Sequence, residues 1–368
     1  MKSVLDFGAV PGLSDCTEAF EKAINASNTI YVPEGVYRIS KPLCLQGKRL
    51  VGDGMCSSII EMHNNDRDAV ILSVGGQSCV EQLTIKYADG IVDGSEQKGE
   101  RIGILTGCNN HCIVFGSSIR NVAIVNTGTA VYSRAENDSE SFSVTYDTIE
   151  VRNFSYRGFD FSAKNRTGNV YQNIYIHSKY MVDTLFSLET EESEVSIVQL
   201  NIEHTRCKYG IRFVGVRALA ATSIHIEGLV WSEAALYLEN SSGSIEALSV
   251  YYSAIEKRGS KLIGIGDGVY DIGHDWALYY PETMRYLRIG TLHLKGINDP
   301  NKNIYGRSCY GFCEENAKEF AFVERIENSC GNFTVKIENY AWYTFQNDAE
   351  LYKAFNCKGN VNVLINEK

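Results

Sequence analysis

Between Ile119 and Tyr252 one short alternation of apolar and polar positions occurs in six copies: Ile119–Asn126, Tyr146–Asn153, Tyr171–Ser178, Ile197–His204, Ala221–Gly228 and Ile245–Tyr252. Each copy closes on a polar or small residue or on an aromatic pair. A period of two places one set of side chains in a core and the other in solvent, the pattern of a half-buried strand. The leading apolar positions are Val122, Ile149, Ile174, Leu200, Ile224 and Leu248, evenly spaced along the chain. A second strand follows at the same period, at residues 130–133, 158–161, 185–188, 210–213 and 235–238.

A fixed period in the twenties predicts a solenoid. One coil cannot bury its own apolar edge, so each strand must pair with its counterpart in the next coil. The Leu-x-x-Leu-x-Leu frame and the helix of leucine-rich repeats are missing. Short strands joined by Gly, Asn and Ser turns predict an all-β chain, a single-stranded parallel β-helix. Cys330–Val335 and Cys357–Val363 repeat this signal near the end, which extends the solenoid almost to Lys368. The expected organisation is one domain over 1–368. It comprises an N-terminal strand and capping helix (1–28), main coils (29–298), and an insertion with the last coils (299–368).

Ahead of the coils, Ser14–Ala26 reads as a helix. Asp15 and Glu18 have capping-box spacing, and Ala19, Phe20, Ala23 and Ile24 make one apolar face. Its expected role is to plug the open apolar end of the first coil. Three insertions break the period: one between Tyr87 and Ile119 holding Cys108-Asn-Asn-His111-Cys112, one at 267–281 with Gly273-His-Asp275, Trp276, Tyr279 and Tyr280, and one at 299–320. Insertions on one face of a solenoid usually build its binding edge.

The N-terminal stretch up to Gly54 carries a recognisable set of letters: Asp6-Phe-Gly-Ala9, Gly12, Asp15-x-Thr17-x-Ala19-Phe20, Ala23-Ile24, Val32-Pro-x-Gly35-x-Tyr37 and Gly52-Asp-Gly54. This resembles the N-terminal signature of the pectate-lyase-like superfamily of right-handed parallel β-helix proteins. That superfamily includes polygalacturonases, polysaccharide lyases, epimerases and phage tailspikes. The resemblance implies a right-handed coil and a sugar ligand, not a reaction. The Asn-Thr-Asp, Asp-Asp and Gly-His-Gly motifs of polygalacturonase-like members are missing. The calcium-ligand aspartates and catalytic Arg of pectate lyases have no counterpart that can be placed. No catalytic residue is carried over.

Charge and cysteine content narrow the partners. The net charge is −10, which argues against nucleic acid and anionic membranes. No run of 18 apolar residues exists, so no transmembrane helix is expected. The 11 cysteines are odd in number and form no Cys-x-x-Cys pair. That usage suits folding in a reducing compartment such as the cytoplasm. The opening Met1-Lys-Ser-Val-Leu-Asp-Phe-Gly has no apolar leader. A virion protein is compatible with both features, and the likeness to tailspikes leaves a homotrimer open. No metal and no cofactor are expected; the Cys108–Cys112 loop shows too few ligands for zinc.

The register also places the outward side chains. The first outward column of the first strand runs Ala123, Glu150, Tyr175, Asn201, His225 and Ser249. The second runs Val125, Arg152, His177, Glu203, Glu227 and Tyr251. Carboxylates one coil apart lie about 5 Å from each other and cannot both ionise freely. Glycoside hydrolysis uses such a pair, one as acid and the other as nucleophile or base. The expected activity is cleavage of a glycosidic bond in a polysaccharide or oligosaccharide. Glu203 and Glu227 are the candidate catalytic pair, with His177 and His225 tuning them. Arg152, Tyr175, Asn201, Tyr251 and Trp231 are the candidate substrate contacts. Two alternatives stay open: a polysaccharide lyase using a His base and an Arg clamp, and a non-catalytic glycan-binding spike or adhesin. On the second strand, Tyr132, Asp160, Ser187, Arg212 and Tyr237 read as surface or subunit contact first and sugar contact second, and His204 as a turn cap.

Overall fold

The computed structural model describes residues 1–252 except 13, 108–112, 134–139, 163–164, 190–191, 217 and 240–242. Beyond 252 it describes the strands at 262–265, 270–272, 288–289, 292–295, 323–326, 333–338, 352–354 and 361–366. The 108–112 cluster and the Gly273-His-Asp275 loop, with its aromatic residues, lie outside the described residues. The chain divides into two compact units, Met1–Glu192 and Ser193–Lys368.

Both units are built from parallel strands stacked coil on coil, which makes the fold a parallel β-helix. In the first unit, Cys79–Tyr87, Ser118–Val125, Thr145–Arg152 and Asn165–His177 pair in succession. The register matches the sequence period: Val122 lies beside Ile149, and Ile149 beside Ile174. These residues and Ile124, Val151 and Ile176 are buried. A second stack runs through Val70–Val74, Ile102–Thr106, Thr129–Ser133, Arg157–Phe161 and Met181–Glu189. Between the two stacks lies an aromatic core of Tyr146, Phe159, Phe161, Tyr171 and Phe186.

Within each first-stack strand one residue turns left-handed just before the leading apolar position: Gln82, Asn121, Thr148 and Asn173. Asn tolerates that region better than most residues. Another left-handed position, Asn126 and Asn153, turns the chain after the strand. Its amide donates to the carbonyl of the following coil, from Asn126 to Arg152 at 3.1 Å and from Asn153 to His177 at 3.2 Å.

The helix spans Thr17–Ala26, with Ala19, Phe20, Ala23 and Ile24 buried as expected. Phe20 meets Tyr37 edge to face at 5.9 Å. The expected capping box does not form. Glu18 instead pairs with Lys22 at 2.7 Å on the exposed face. Asp15 accepts from the Thr17 amide at 2.8 Å and also from the Ser40 hydroxyl. It thereby ties the helix to the first coil, a longer-range demand that overrides the local motif. Among the described residues no helix is long and apolar enough to cross a membrane.

In the second unit, Glu192–Glu203, Ala218–Glu239 and Gly243–Tyr252 pair in register. Ala218–Glu239 is 22 residues long and serves both stacks. Its first half pairs with 194–203 and 243–252, its second half with 206–214, and a register shift between Glu227 and Leu229 turns the corner. Near the end, Phe333–Glu338 pairs with Val361–Asn366 one coil further on, and with Leu292–Lys295 across the 299–320 insertion.

Candidate functional site

In the second unit the side chains between the inward apolar positions face outward, as the alternation requires. Leu200, Ile202, Ile224 and Ile226 are buried. Asn201 therefore stands beside His225, and Glu203 beside Glu227. His225 Nε2 lies 3.1 Å from Glu227 Oε2. One ligand atom from each of Glu203, His225 and Glu227 lies within 4.8 Å of the others. All three side chains are half-buried, with 20–27% of their surface exposed. That leaves them open to a ligand and still partly shielded from water.

His204 occupies the left-handed turn after this strand, with φ 44°, and its amide donates to the Glu227 carbonyl at 2.9 Å. It therefore plays the part that Asn126 and Asn153 play in earlier coils. Its Nε2 lies 3.8 Å from Glu203 Oε2, so the ring also reaches the carboxylate pair. Asn201, Glu203, His225 and Glu227 thus form one cluster. Tyr251 stands on the next strand, Gly243–Tyr252, paired with Glu227, whereas Trp231 lies past the corner of Ala218–Glu239 and pairs with Cys207 in the second stack, away from the cluster's strand face. Their side chains lie outside the described residues.

Arg152, Tyr175 and His177 belong to the first unit. Arg152 pairs with His177 across adjacent strands, and Glu150 with Tyr175. Arg152 Nε lies 3.2 Å from Glu150 Oε1, so an acid on its own strand already partners the expected substrate clamp. The Tyr175 and His177 rings lie 5.3 Å apart.

Two polar clusters of the first unit escaped the sequence reading. On the first stack, Glu61 accepts from Lys86 and meets His63, each at 2.6 Å, with Arg38 at 3.9 Å. Burial alone would raise the Glu61 carboxyl; the bonds from Lys86 and His63 outweigh it and hold it below the ordinary range. Arg38, Glu61 and Lys86 stand in one outward column, so extending the repeat back before Ile119 would have found them.

On the second stack, the part-buried Arg157 lies 3.0 Å from Asp160, 2.6 Å from Asp183 and 2.9 Å from Glu189. The reading of Tyr132, Asp160 and Ser187 as surface is overturned, since all three are buried. Gly99 of the Tyr87–Ile119 insertion packs against the Tyr132 ring, and Lys98 lies near Asp160. An alternation gives direction but not what is folded over it. Arg212 fits the surface reading better: it is part-exposed and stacks over Tyr209 and Tyr237 at 5.8 and 5.4 Å.

These features define a class: a parallel β-helix with titratable side chains ranked along its outward columns. Residues 1–212 match the family described as rhamnogalacturonase A/epimerase, pectate lyase-like, and the chain belongs to that family. No curated protein sequence matches it. Among solved structures, it is similar to the A-module of mannuronan C-5 epimerase AlgE4 from Azotobacter vinelandii. That likeness has 14% identity and a TM-score of 0.52, covering 100% of this chain and 98% of that one. It is similar to PfbA, a surface adhesin of Streptococcus pneumoniae, at 14% identity and a TM-score of 0.52, covering 99% and 89%. A GH87 alpha-1,3-glucanase catalytic domain, in complex with tetrasaccharides, gives 12% identity and a TM-score of 0.50, covering 98% and 66%. At these identities the likeness shows the fold alone.

Proposed function

We propose that the protein is carbohydrate-active and cleaves a glycosidic bond at the Glu203–His225–Glu227 cluster. One observation carries this reading: two carboxylates and an imidazole converge within 4.8 Å on an outward, half-buried strand face. Membership in a family named for rhamnogalacturonase and pectate lyase supports the sugar class, as does the glucanase–tetrasaccharide complex on the same fold. One carboxyl gives a proton to the leaving oxygen while the other attacks or stabilises the sugar cation. The spacing is nearer the ~5–5.5 Å of retaining enzymes than the ~6.5–9.5 Å of inverting ones. His225, bonded to Glu227, orients that carboxyl, and Glu203 on the neighbouring strand faces the anomeric carbon. Asn201 beside it supplies hydrogen bonds to sugar hydroxyls. Elimination is less well supported, because it needs an Arg free to hold a uronate carboxylate and Arg152 is engaged by Glu150.

The same three residues have the donor set of a divalent-cation site, which makes a second reading of the same geometry. The experiment is a screen of plant, bacterial-capsule and host glycans for new reducing ends and for absorbance near 235 nm, with and without chelator. The proposal expects reducing ends, no unsaturated product and no loss on chelation. Glu203→Gln and Glu227→Gln should each lower kcat about 10²–10⁴-fold at an unchanged melting temperature. Full activity in both variants would move the site elsewhere. Loss on chelation would favour the metal reading, and a stable homotrimer that binds a glycan without cleaving it the adhesin one.

A further inference from the structure

Glu203, His225 and Glu227 come from two neighbouring strands whose register is locked from below. Leu200 pairs with Ile224 and Ile202 with Ile226, and all four are buried. The outward residues beside them cannot slip by one position without exposing that core. Glu203 therefore faces Glu227 across the ladder, and His225 stands two residues before Glu227 on the same face. Side chains carried on strands keep their mutual geometry better than side chains on loops.

The distances are those of atoms that can share one ion. Two ligands at ~2.0–2.1 Å from a tetrahedral ion lie about 3.3–3.4 Å from each other. His225 Nε2 and Glu227 Oε2 lie 3.1 Å apart. One ligand atom from each of the three residues lies within 4.8 Å of the others. Small side-chain rotations close the difference, and with 20–27% of their surface exposed the side chains have room to make them. Two carboxylates balance the charge of a divalent ion, and a neutral imidazole adds a nitrogen. That nitrogen decides the class. Calcium and magnesium take oxygen ligands in larger number, whereas imidazole suits zinc and its neighbours. Zinc imposes no geometry of its own and accepts three protein ligands with water in the fourth position. A fourth residue supports the set. His204 holds the left-handed turn after Glu203, where earlier coils have Asn126 and Asn153, and its Nε2 lies 3.8 Å from Glu203 Oε2. A partner so placed orients a ligating carboxylate.

We infer that Glu203, His225 and Glu227 bind a divalent transition-metal ion of the zinc class, with His204 as the outer partner of Glu203, and that the bound ion is an inhibitor. The metal takes up lone pairs of both carboxylates, so neither can hand a proton to a leaving oxygen or attack a sugar. It opposes the carboxylate chemistry rather than serving it. The inhibition rests on the reaction proposed above; the binding does not.

The full chain, stripped with chelator and dialysed, is titrated with zinc by calorimetry and with cobalt by absorption. One equivalent is expected to bind at micromolar concentration in excess calcium, with the visible bands of cobalt on nitrogen and oxygen ligands. Cobalt on any of the 11 cysteines would add the near-ultraviolet charge-transfer band of a thiolate. Glu227→Gln and His225→Gln, both outward substitutions, should keep the wild-type melting temperature and lose that equivalent. His204→Asn keeps the residue type that earlier coils use in this turn and should weaken zinc about tenfold. On a glycan that the protein cleaves, one equivalent of zinc should reduce turnover to background, and chelator should restore it. Binding only at millimolar concentration, displacement by calcium, or undiminished binding in Glu227→Gln and His225→Gln would mean an adventitious ion only and would overturn the inference. Full turnover by the zinc-loaded protein would overturn the inhibition, and unchanged affinity in His204→Asn the part given to His204. If no glycan is cleaved, the proposed reaction fails while the titrations still decide the site.

Discussion

Glu61 shows how much one outward residue can hold. It is 9% exposed and joins Lys86, His63 and Arg38 on three elements of the early coils. Because its folded pKa lies below the unfolded value, its contribution is present above about pH 4.3 and lost as pH falls through the folded value. Wild-type melting temperature should therefore drop on acidification from about pH 5 to 3, and Glu61→Gln should flatten that slope. At neutral pH the same variant should cost about 1–3 kcal/mol in denaturant titrations, since it loses charge-assisted bonds and leaves Lys86 unpaired. At this scale the sequence was informative about direction. The alternation put Asn201, Glu203, His225 and Glu227 outward and in register, as the structure has them. It could not show that Asp160 and Ser187, equally outward, lie buried, because that depends on a chain segment folding across them. Nor could it show that Glu150 engages Arg152, since two side chains of one strand face meet only through their rotamers.

The elements were legible wherever their period was strong. Strands of the stacks lie where the repeat of leading apolar positions puts them, since inward side chains can only be satisfied by a coil above and a coil below. The helix begins later than its apparent cap, at Thr17, because Asp15 serves a more distant partner. Its plugging face makes a plain expectation. Phe20→Ala removes a fully buried ring from its contact with Tyr37 and should cost about 3–5 kcal/mol in chemical denaturation. Coil-to-coil contact is equally demanding where side chains vanish. A Cβ on Gly158 would collide with the Leu185 carbonyl oxygen and crowd Ile176 Cγ2 at 3.0 Å. Neither the backbone nor a β-branched side chain yields easily, so Gly158→Ala should cost about 1–3 kcal/mol, read as a lower denaturation midpoint. Gly35 is constrained twice over, by its own backbone at φ +141° and by Pro11, whose Cβ would lie 2.7 Å from an added methyl.

For the molecule as a whole, the coil is a unit of length as well as of folding. Glu203 and Glu227 stand on neighbouring rungs, one coil apart, over inward residues that any further coil would repeat. A copy of 204–227 inserted after Glu203, with glutamine in place of its own glutamate, would add one rung without disturbing the alternation that buries the core. The two carboxylates would then part by a further ~4.8 Å, the distance between paired strands. Their separation would leave the retaining range and enter the ~6.5–9.5 Å in which a water fits between acid and base. On the proposed chemistry, proton NMR of the first product would show the opposite anomer from the lengthened chain. One added coil of a β-helix would thus be a stereochemical mutation, reversing the configuration of the product while both proposed carboxylates stay the same.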